Sequence, residues 1–257
     1  MLIYKHPKKE VPERMRTLTI WNNKGGVFKS SICHNLAYLF ARDGLRVLLI
    51  DLDQQASLTI SAGQSPDKLK YTTYNFVADE VFAYKPAHIA DNVDLLGADL
   101  ELSILDRSLS QLRKPAEVLK KKLEQIKGMY DVVIIDNAPS LTNLVINAVT
   151  AADYVIVPCE AAYLSYKSLS IVEETLKRLG KEVNAVICTR YDNRTSDCRN
   201  VRELLEKKYN CLGVIRNATA ARECLYEGLP IVEYNKQHKV SLEYEEIYEK
   251  LKEMLKR

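Results

Sequence analysis

Short apolar runs alternate with amphipathic stretches along most of this chain. Leu18-Thr19-Ile20-Trp21, Arg46 to Ile50, Val132 to Ile135, Tyr154 to Val157 and Val183 to Cys188 read as strands. Their continuous apolar character suits strands covered on both faces, the habit of parallel sheets. Between the first two strands lies Ser30 to Arg42. There Ile32, Leu36, Leu39 and Phe40 fall at helical spacing, and Asp43-Gly44 supplies a stop. The same spacing predicts helices over 116–126, 144–151, 168–179, 199–208 and 242–255. Strand, crossover helix and parallel strand repeat, which predicts a doubly wound α/β fold, its mostly parallel sheet carrying helices on both faces. Ser61 to Ala90 shows no clear period. With no repeat and no low-complexity linker, one domain over 1–257 is expected, residues 1–16 forming a short polar extension.

Composition narrows the classes. The chain is 47% hydrophobic, as globular proteins are, and its 37 Lys and Arg against 34 Asp and Glu leave a net charge of +3. That allows an anionic partner without demanding one. No apolar run approaches the ~20 residues that cross a bilayer. Met1 to Arg16 is polar, with no signal-peptide core, so a cytoplasmic location is expected. Cys33, Cys159, Cys188, Cys198, Cys211 and Cys224 form no C-x-x-C pair, and several lie in strand-like runs. Buried reduced thiols are expected. His6, His34, His88 and His238 are scattered, so no zinc site is expected.

The loops after the strands hold the candidate chemistry, at the carboxyl ends of the sheet where α/β proteins bind ligands. Asn22-Asn23-Lys24-Gly25-Gly26-Val27-Phe28-Lys29-Ser30-Ser31 follows the first strand and leads into the first helix. In such a turn the N–H groups from Gly25 through Val27, Phe28, Lys29 and Ser30 to Ser31 can surround phosphate oxygens, with the helix N-terminus behind them. Lys29 would reach the β- and γ-phosphates, and the Ser30 hydroxyl would ligate Mg²⁺. Against the usual eight-residue signature, Asn23 stands for the first glycine and Phe28 for the glycine before the lysine. The plain alternative is a solvated Gly-Gly turn flanked by lysines. After Ile50 come Asp51 and Asp53, two carboxylates on one side of the chain. After Ile135 comes Asp136, an acid ending an apolar strand in the Walker B manner, which holds Mg²⁺ directly or through water. Each acid alone could be a helix cap or turn residue. Three together, on strands following such a loop, argue for the nucleotide reading.

Lys24-Gly25-Gly26-x-x-Lys29-Ser30 resembles the deviant Walker A motif of the ParA/MinD family of P-loop ATPases. Asp51 to Gln55 resembles its D-x-D-P-Q segment, with Gln54 in the proline's place. Tyr130 to Leu141 resembles its Y-D-x-x-I-I-D-T-P-P-S-L, Asn137 and Ala138 replacing Thr-Pro. Thr189 to Thr195 is similar to its T-M-Y-D-x-R-T loop. Ile215-Arg216-Asn217 and Gly228-Leu229-Pro230-Ile231 echo its I-P-R-N and G-K-P-I, with one extra residue between them. The resemblance runs from about Thr17 to the C-terminus.

The resemblance implies an Mg²⁺-dependent ATP hydrolase that dimerises around ATP. Lys29 and Ser30 would bind phosphates and Mg²⁺, and Lys24 would reach across the homodimer to the partner's nucleotide. Asp53 would orient the attacking water, while Asp51 and Asp136 complete the metal environment. Phe28 is expected to pack away from the nucleotide, leaving binding intact. The resemblance further implies DNA partitioning of a plasmid or chromosome: the ATP-bound dimer binds DNA non-specifically, on the nucleoid, and a centromere-binding ParB-type partner triggers release. Arg216 matches the arginine of I-P-R-N. Charge clustering adds Arg199, Arg202, Lys207, Lys208 and Arg222 as DNA-contact candidates, although Glu203 and Glu206 dilute that helix and a solvated face is the alternative. The loop lies too near the N-terminus for a preceding helix-turn-helix domain to be expected. A second class is a MinD-like membrane-surface ATPase, since Lys250 to Arg257 is basic and amphipathic. Ile247, Leu251 and Leu255 instead suit packing against the sheet, so membrane binding is not expected. The iron–sulfur members of the superfamily are set aside, because no cysteine lies between Cys33 and Cys159.

Overall fold

A computed structural model describes residues 14–78 and 84–256, so most of the expected N-terminal extension and Arg257 lie outside the described residues. The strands are β1 (Arg16–Ile20), β2 (Val47–Leu52), β3 (Ala87–Ala90), β4 (Val93–Leu96), β5 (Val132–Asn137), β6 (Tyr154–Glu160), β7 (Ala185–Thr189) and β8 (Cys211–Ile215). They form one sheet in the order β3-β4-β2-β5-β1-β6-β7-β8. Only β3, at the edge, runs antiparallel, against β4. The doubly wound, mostly parallel sheet expected from the sequence is therefore present.

The helices are α1 (Lys29–Arg42), α2 (Ser57–Ser61), α3 (Thr73–Ala78), α4 (Leu102–Leu109), α5 (Val118–Gln125), α6 (Asn143–Ala151), α7 (Tyr163–Arg178), α8 (Ser196–Lys208), α9 (Ala220–Glu223), α10 (Ile231–Tyr234) and α11 (Lys239–Leu255). Strand alternation sorts them into two layers. Val47 and Leu49 of β2 join Ile32, Leu36 and Phe40 of α1 and Tyr244, Ile247 and Tyr248 of α11 in one core. Leu48 and Ile50 face the opposite layer, with Phe76 of α3, Leu105 of α4 and Leu123 of α5. Successive side chains of a strand point to opposite faces, so an unbroken apolar run feeds both cores.

The terminal helix settles into the first of these cores. Ile247 and Leu251 are fully buried, and Leu255 nearly so. Tyr248 Oη donates to Asp43 Oδ2 at 2.8 Å, and Lys252 Nζ lies 2.9 Å from the same oxygen. This is the packed arrangement the sequence favoured. No helix among the described residues is long and apolar enough to cross a membrane. Cys33, Cys159, Cys188 and Cys224 are buried as expected, whereas Cys198 and Cys211 are half-buried.

Boundaries differ where burial broke the period. The helix after β6 starts at Tyr163 rather than 168, because Tyr163 and Leu164 in its first turn are exposed despite being apolar. In the stretch without clear period, α2 is anchored to the 3₁₀ turn at Cys224–Glu227 by two facing glycines. Gly63 and Gly228 both have positive φ, and a Cβ on Gly228 would lie 2.7 Å from Gly63 Cα. Gly228→Ala is expected to cost about 2 kcal/mol or more, from left-handed strain plus displaced backbone. Gly44→Ala, also at positive φ but facing open space, should cost only the strain, about 1 kcal/mol. Urea unfolding of both variants checks the difference.

Candidate functional site

The carboxyl ends of β1, β2, β5, β6 and β7 meet at one rim, and the loop from Asn22 to Phe28 rises from it. Asn22, buried, shapes the turn: its Oδ1 accepts from Lys24 N at 2.9 Å and its Nδ2 donates to Pro158 O at 2.7 Å. Gly26 and Phe28 both adopt left-handed backbone, with φ of 71° and 68°. Alternation of this kind turns successive N–H groups toward one point, the geometry of an anion nest. Phe28 occupies the N-cap of α1 and supplies no side-chain cap. The orphan N–H groups of the first turn are thus left for a ligand.

Lys29 opens α1 with only 7% of its surface exposed. Its Nζ lies 3.4 Å from Asn22 O and 3.1 Å from Lys24 O, folded back on the loop. Burial lowers its pKa, opposed by the charges of Asp136 and Asp53. Lys24 points elsewhere. Its ammonium pairs with Glu160 at the end of β6 and lies 2.9 Å from Ser165 Oγ. Lys24 in turn holds the Glu160 carboxyl below its usual range.

The three acids fall together. Asp51 and Asp136 are register partners on β2 and β5, both fully buried. Asp51 is already well satisfied: Thr59 N and Oγ1 donate to Oδ2 at 2.9 and 2.7 Å, and Asp53 N to Oδ1 at 3.0 Å. Asp136 accepts from Asn137 N through Oδ1, but its buried Oδ2 has no protein partner. Burial drives both carboxyls above the usual range, and for Asp136 the charge of Asp51 adds to it. Asp53 is half-buried, its carboxylate accepting from Gln55 N at 3.0 Å. An acid with one buried oxygen unpartnered, and with the Ser30 side chain beside it, would fit a magnesium ion held by the Ser30 hydroxyl, phosphate oxygens and water. A hard cation bound largely through its substrate needs no cluster of protein carboxylates.

Several participants escaped the sequence reading. Glu160 and Ser165 hold Lys24. Asn137, standing where the resembled motif has threonine, ties β5 to β1 by donating to Thr19 Oγ1 and Ile20 O at 2.7 and 3.1 Å. Arg190, after β7, donates from Nε to Gly26 O at 3.0 Å. The Phe28 ring packs against the core beneath α1, with the Arg190 guanidinium carbon 5.6 Å from its ring centroid.

The basic candidates do not converge in the same way. Arg202 pairs with Glu206 and Lys208 with Glu173, each at 2.7 Å, and Arg199 donates to Asn193 O at 2.6 Å. Arg216 is engaged by Glu243 of α11 through both its backbone N and its Nε. Lys207 and Arg222 stand exposed.

An AAA domain family, AAA_31, matches residues 15–188. The sporulation initiation inhibitor protein Soj of Bacillus subtilis is 31% identical over 231 residues, covering 86% of this chain and 91% of Soj. The chain belongs to the ParA/Soj-type family of partition ATPases. A plasmid partition protein from Borrelia burgdorferi has the same fold, with a TM-score of 0.77 at 27% identity, covering 94% of this chain and 99% of its own. Cobyrinic acid a,c-diamide synthase from Mycobacterium smegmatis, solved with ADP and magnesium, gives 0.79 at 28%, covering 94% and 96%. The family is thus one of P-loop ATPases, and solved relatives of this chain include ones that hold adenine nucleotides with magnesium.

Proposed function

We propose that this chain is a single ATPase domain that converts ATP and water to ADP and phosphate with Mg²⁺. It forms a homodimer around ATP, binds DNA non-specifically while ATP is held, and moves a plasmid or chromosome with a centromere-binding ParB-type partner. It works in the cytoplasm, associated with the nucleoid. The observation that carries this reading is the convergence of Lys29 and Ser30 with Asp51, Asp53 and Asp136 at one rim of the sheet, with the Lys24 side chain paired to Glu160 at the end of β6. Lys29 and the loop N–H groups, Gly25 to Ser31, bind the phosphates. Ser30, with Asp136 and Asp51 behind it, holds Mg²⁺, which when bound neutralises charge on the phosphates. Asp53 positions the attacking water. Phosphoryl transfer needs chiefly positioning and charge stabilisation, and these groups supply both. The Lys24 side chain is 44% exposed, which supports its meeting a second copy.

DNA retention by the wild type and Lys24→Ala, with ATP, ADP or no nucleotide across a salt series, tests the proposal. Wild-type binding should require ATP and weaken steeply with salt. Lys24→Ala should lose it by at least about tenfold, the scale of one charge-assisted contact. Binding indifferent to nucleotide, or absent while ATP-dependent dimers persist, would refute DNA partitioning. Of the six basic candidates, Lys207 and Arg222 are the first to vary, because the ion pairs and carbonyl contacts of the others already engage them.

A further inference from the structure

Among the described residues, four that are not glycine have left-handed backbone, and three of these lie on the rim loops: Phe28, Ala56 and Arg190. Strain of this kind persists only where surroundings hold it. Phe28 and Arg190 hold each other. The guanidinium lies over the Phe28 ring at 5.6 Å from carbon to centroid. Its Nε donates to Gly26 O at 3.0 Å, and a Cβ on Gly26 would sit 3.4 Å from its Nη2. Both residues are also departures from the motifs this chain resembles: phenylalanine stands where the phosphate loop has glycine, and arginine where the loop after β7 has methionine.

The geometry points to Arg190 as a positioning residue for the phosphate loop, in a pair with Phe28 that replaces the missing glycine. The inference rests on the nucleotide reading of that loop. A glycine adopts the left-handed nest conformation freely; phenylalanine does not. Two contacts compensate here. The ring is pinned between the core beneath α1 and a flat cation, and the hydrogen bond to Gly26 O fixes the other left-handed residue of the loop. Arginine suits both tasks at once, since its planar fork stacks with one face and donates from its edge. Lysine could supply only the charge. Arg190 contacts no reacting atom in this account; it keeps the N–H groups of the loop aimed.

A double-mutant cycle tests this, reading Mg²⁺-ADP affinity of the full chain by calorimetry for wild type, Arg190→Met, Phe28→Gly and the double variant. Arg190→Met should weaken binding about tenfold when Phe28 is present and by less than about threefold when glycine is at 28, where no strained backbone needs support. Phe28→Gly alone should bind within about threefold of wild type. Arg190→Lys should recover only part of the loss. Equal effects of Arg190→Met in both backgrounds, or none in either, would overturn the pairing. Thermal melting without nucleotide is expected to be alike for wild type and Arg190→Lys, so a binding loss there is not loss of fold. Absence of nucleotide binding by the wild type would instead remove the functional reading itself, a separate failure.

Discussion

Lys29→Ala is expected to weaken ATP binding about a hundredfold and to lower hydrolysis about a thousandfold. The first figure corresponds to about 2.8 kcal/mol, the upper range for one hydrogen bond to a charged group. The second follows because the same ammonium faces charge that grows on the transferred group, where a single lost donor costs 10²–10³ or more. The expectation is sharpened by what the side chain does without nucleotide. Nζ is folded onto two backbone carbonyls in a buried setting, and burial lowers its pKa. A lysine whose folded pKa is depressed weakens the fold below that pKa, and the penalty vanishes only above its unfolded value of about 10.4. At neutral pH, Lys29→Met should therefore melt no lower than the wild type while binding nucleotide as poorly as Lys29→Ala. Titration of a fluorescent ATP analogue and a thermal melt read both halves. Nucleotide affinity retained in either variant would show that Lys29 is not the phosphate lysine.

Asp136→Asn carries the second large effect, and it runs in opposite directions for stability and activity. The carboxyl is fully buried, faces the charge of Asp51, and leaves Oδ2 without a protein partner. Its folded pKa is raised above the unfolded value of about 3.9. The ionised group therefore costs nothing below that value and destabilises increasingly as pH rises toward its folded pKa, beyond which the cost is constant. Without nucleotide, Asp136→Asn should match the wild type near pH 4 and exceed it at pH 8. Each kcal/mol gained appears as about 2–4 °C in a domain of this size. Hydrolysis should fall about a hundredfold or more, because the acid behind the magnesium position is gone. Melting curves over pH, with a phosphate-release assay at fixed Mg²⁺, test both. A variant that melts lower at every pH, or one that hydrolyses ATP normally, would contradict this account of the site. Asp51 should not behave alike, since three donors already satisfy it and asparagine would turn an amide nitrogen toward either the Thr59 donors or Asp53 N–H.

The sequence by itself determined the sheet, its parallel direction and the rim that carries the chemistry. Apolar runs such as Val132 to Ile135 belong only to strands covered on both sides, and an acid at the end of each such run falls at the carboxyl edge whatever the details of packing. It also determined the fate of the terminal helix, because Ile247, Leu251 and Leu255 share one face. What it did not contain was anything that depends on two segments meeting. The short elements between Ser61 and Ala90 owe their conformation to contacts such as Gly63 on Gly228, and no local period encodes those. The start of α7 was hidden because its first turn exposes Tyr163 and Leu164, which a pattern-based reading expects to be buried. The partners of Lys24, the spare oxygen of Asp136 and the seat of Phe28 on Arg190 are distances between residues far apart in the chain. The same holds for Arg202 and Lys208 of α8 and for Arg216: their charge is legible in sequence, but their pairing with Glu206, Glu173 and Glu243 is not. Local chemistry and periodicity are written residue by residue, whereas strain, pairing and desolvation exist only once the chain has closed on itself, and there the tertiary structure alone decided.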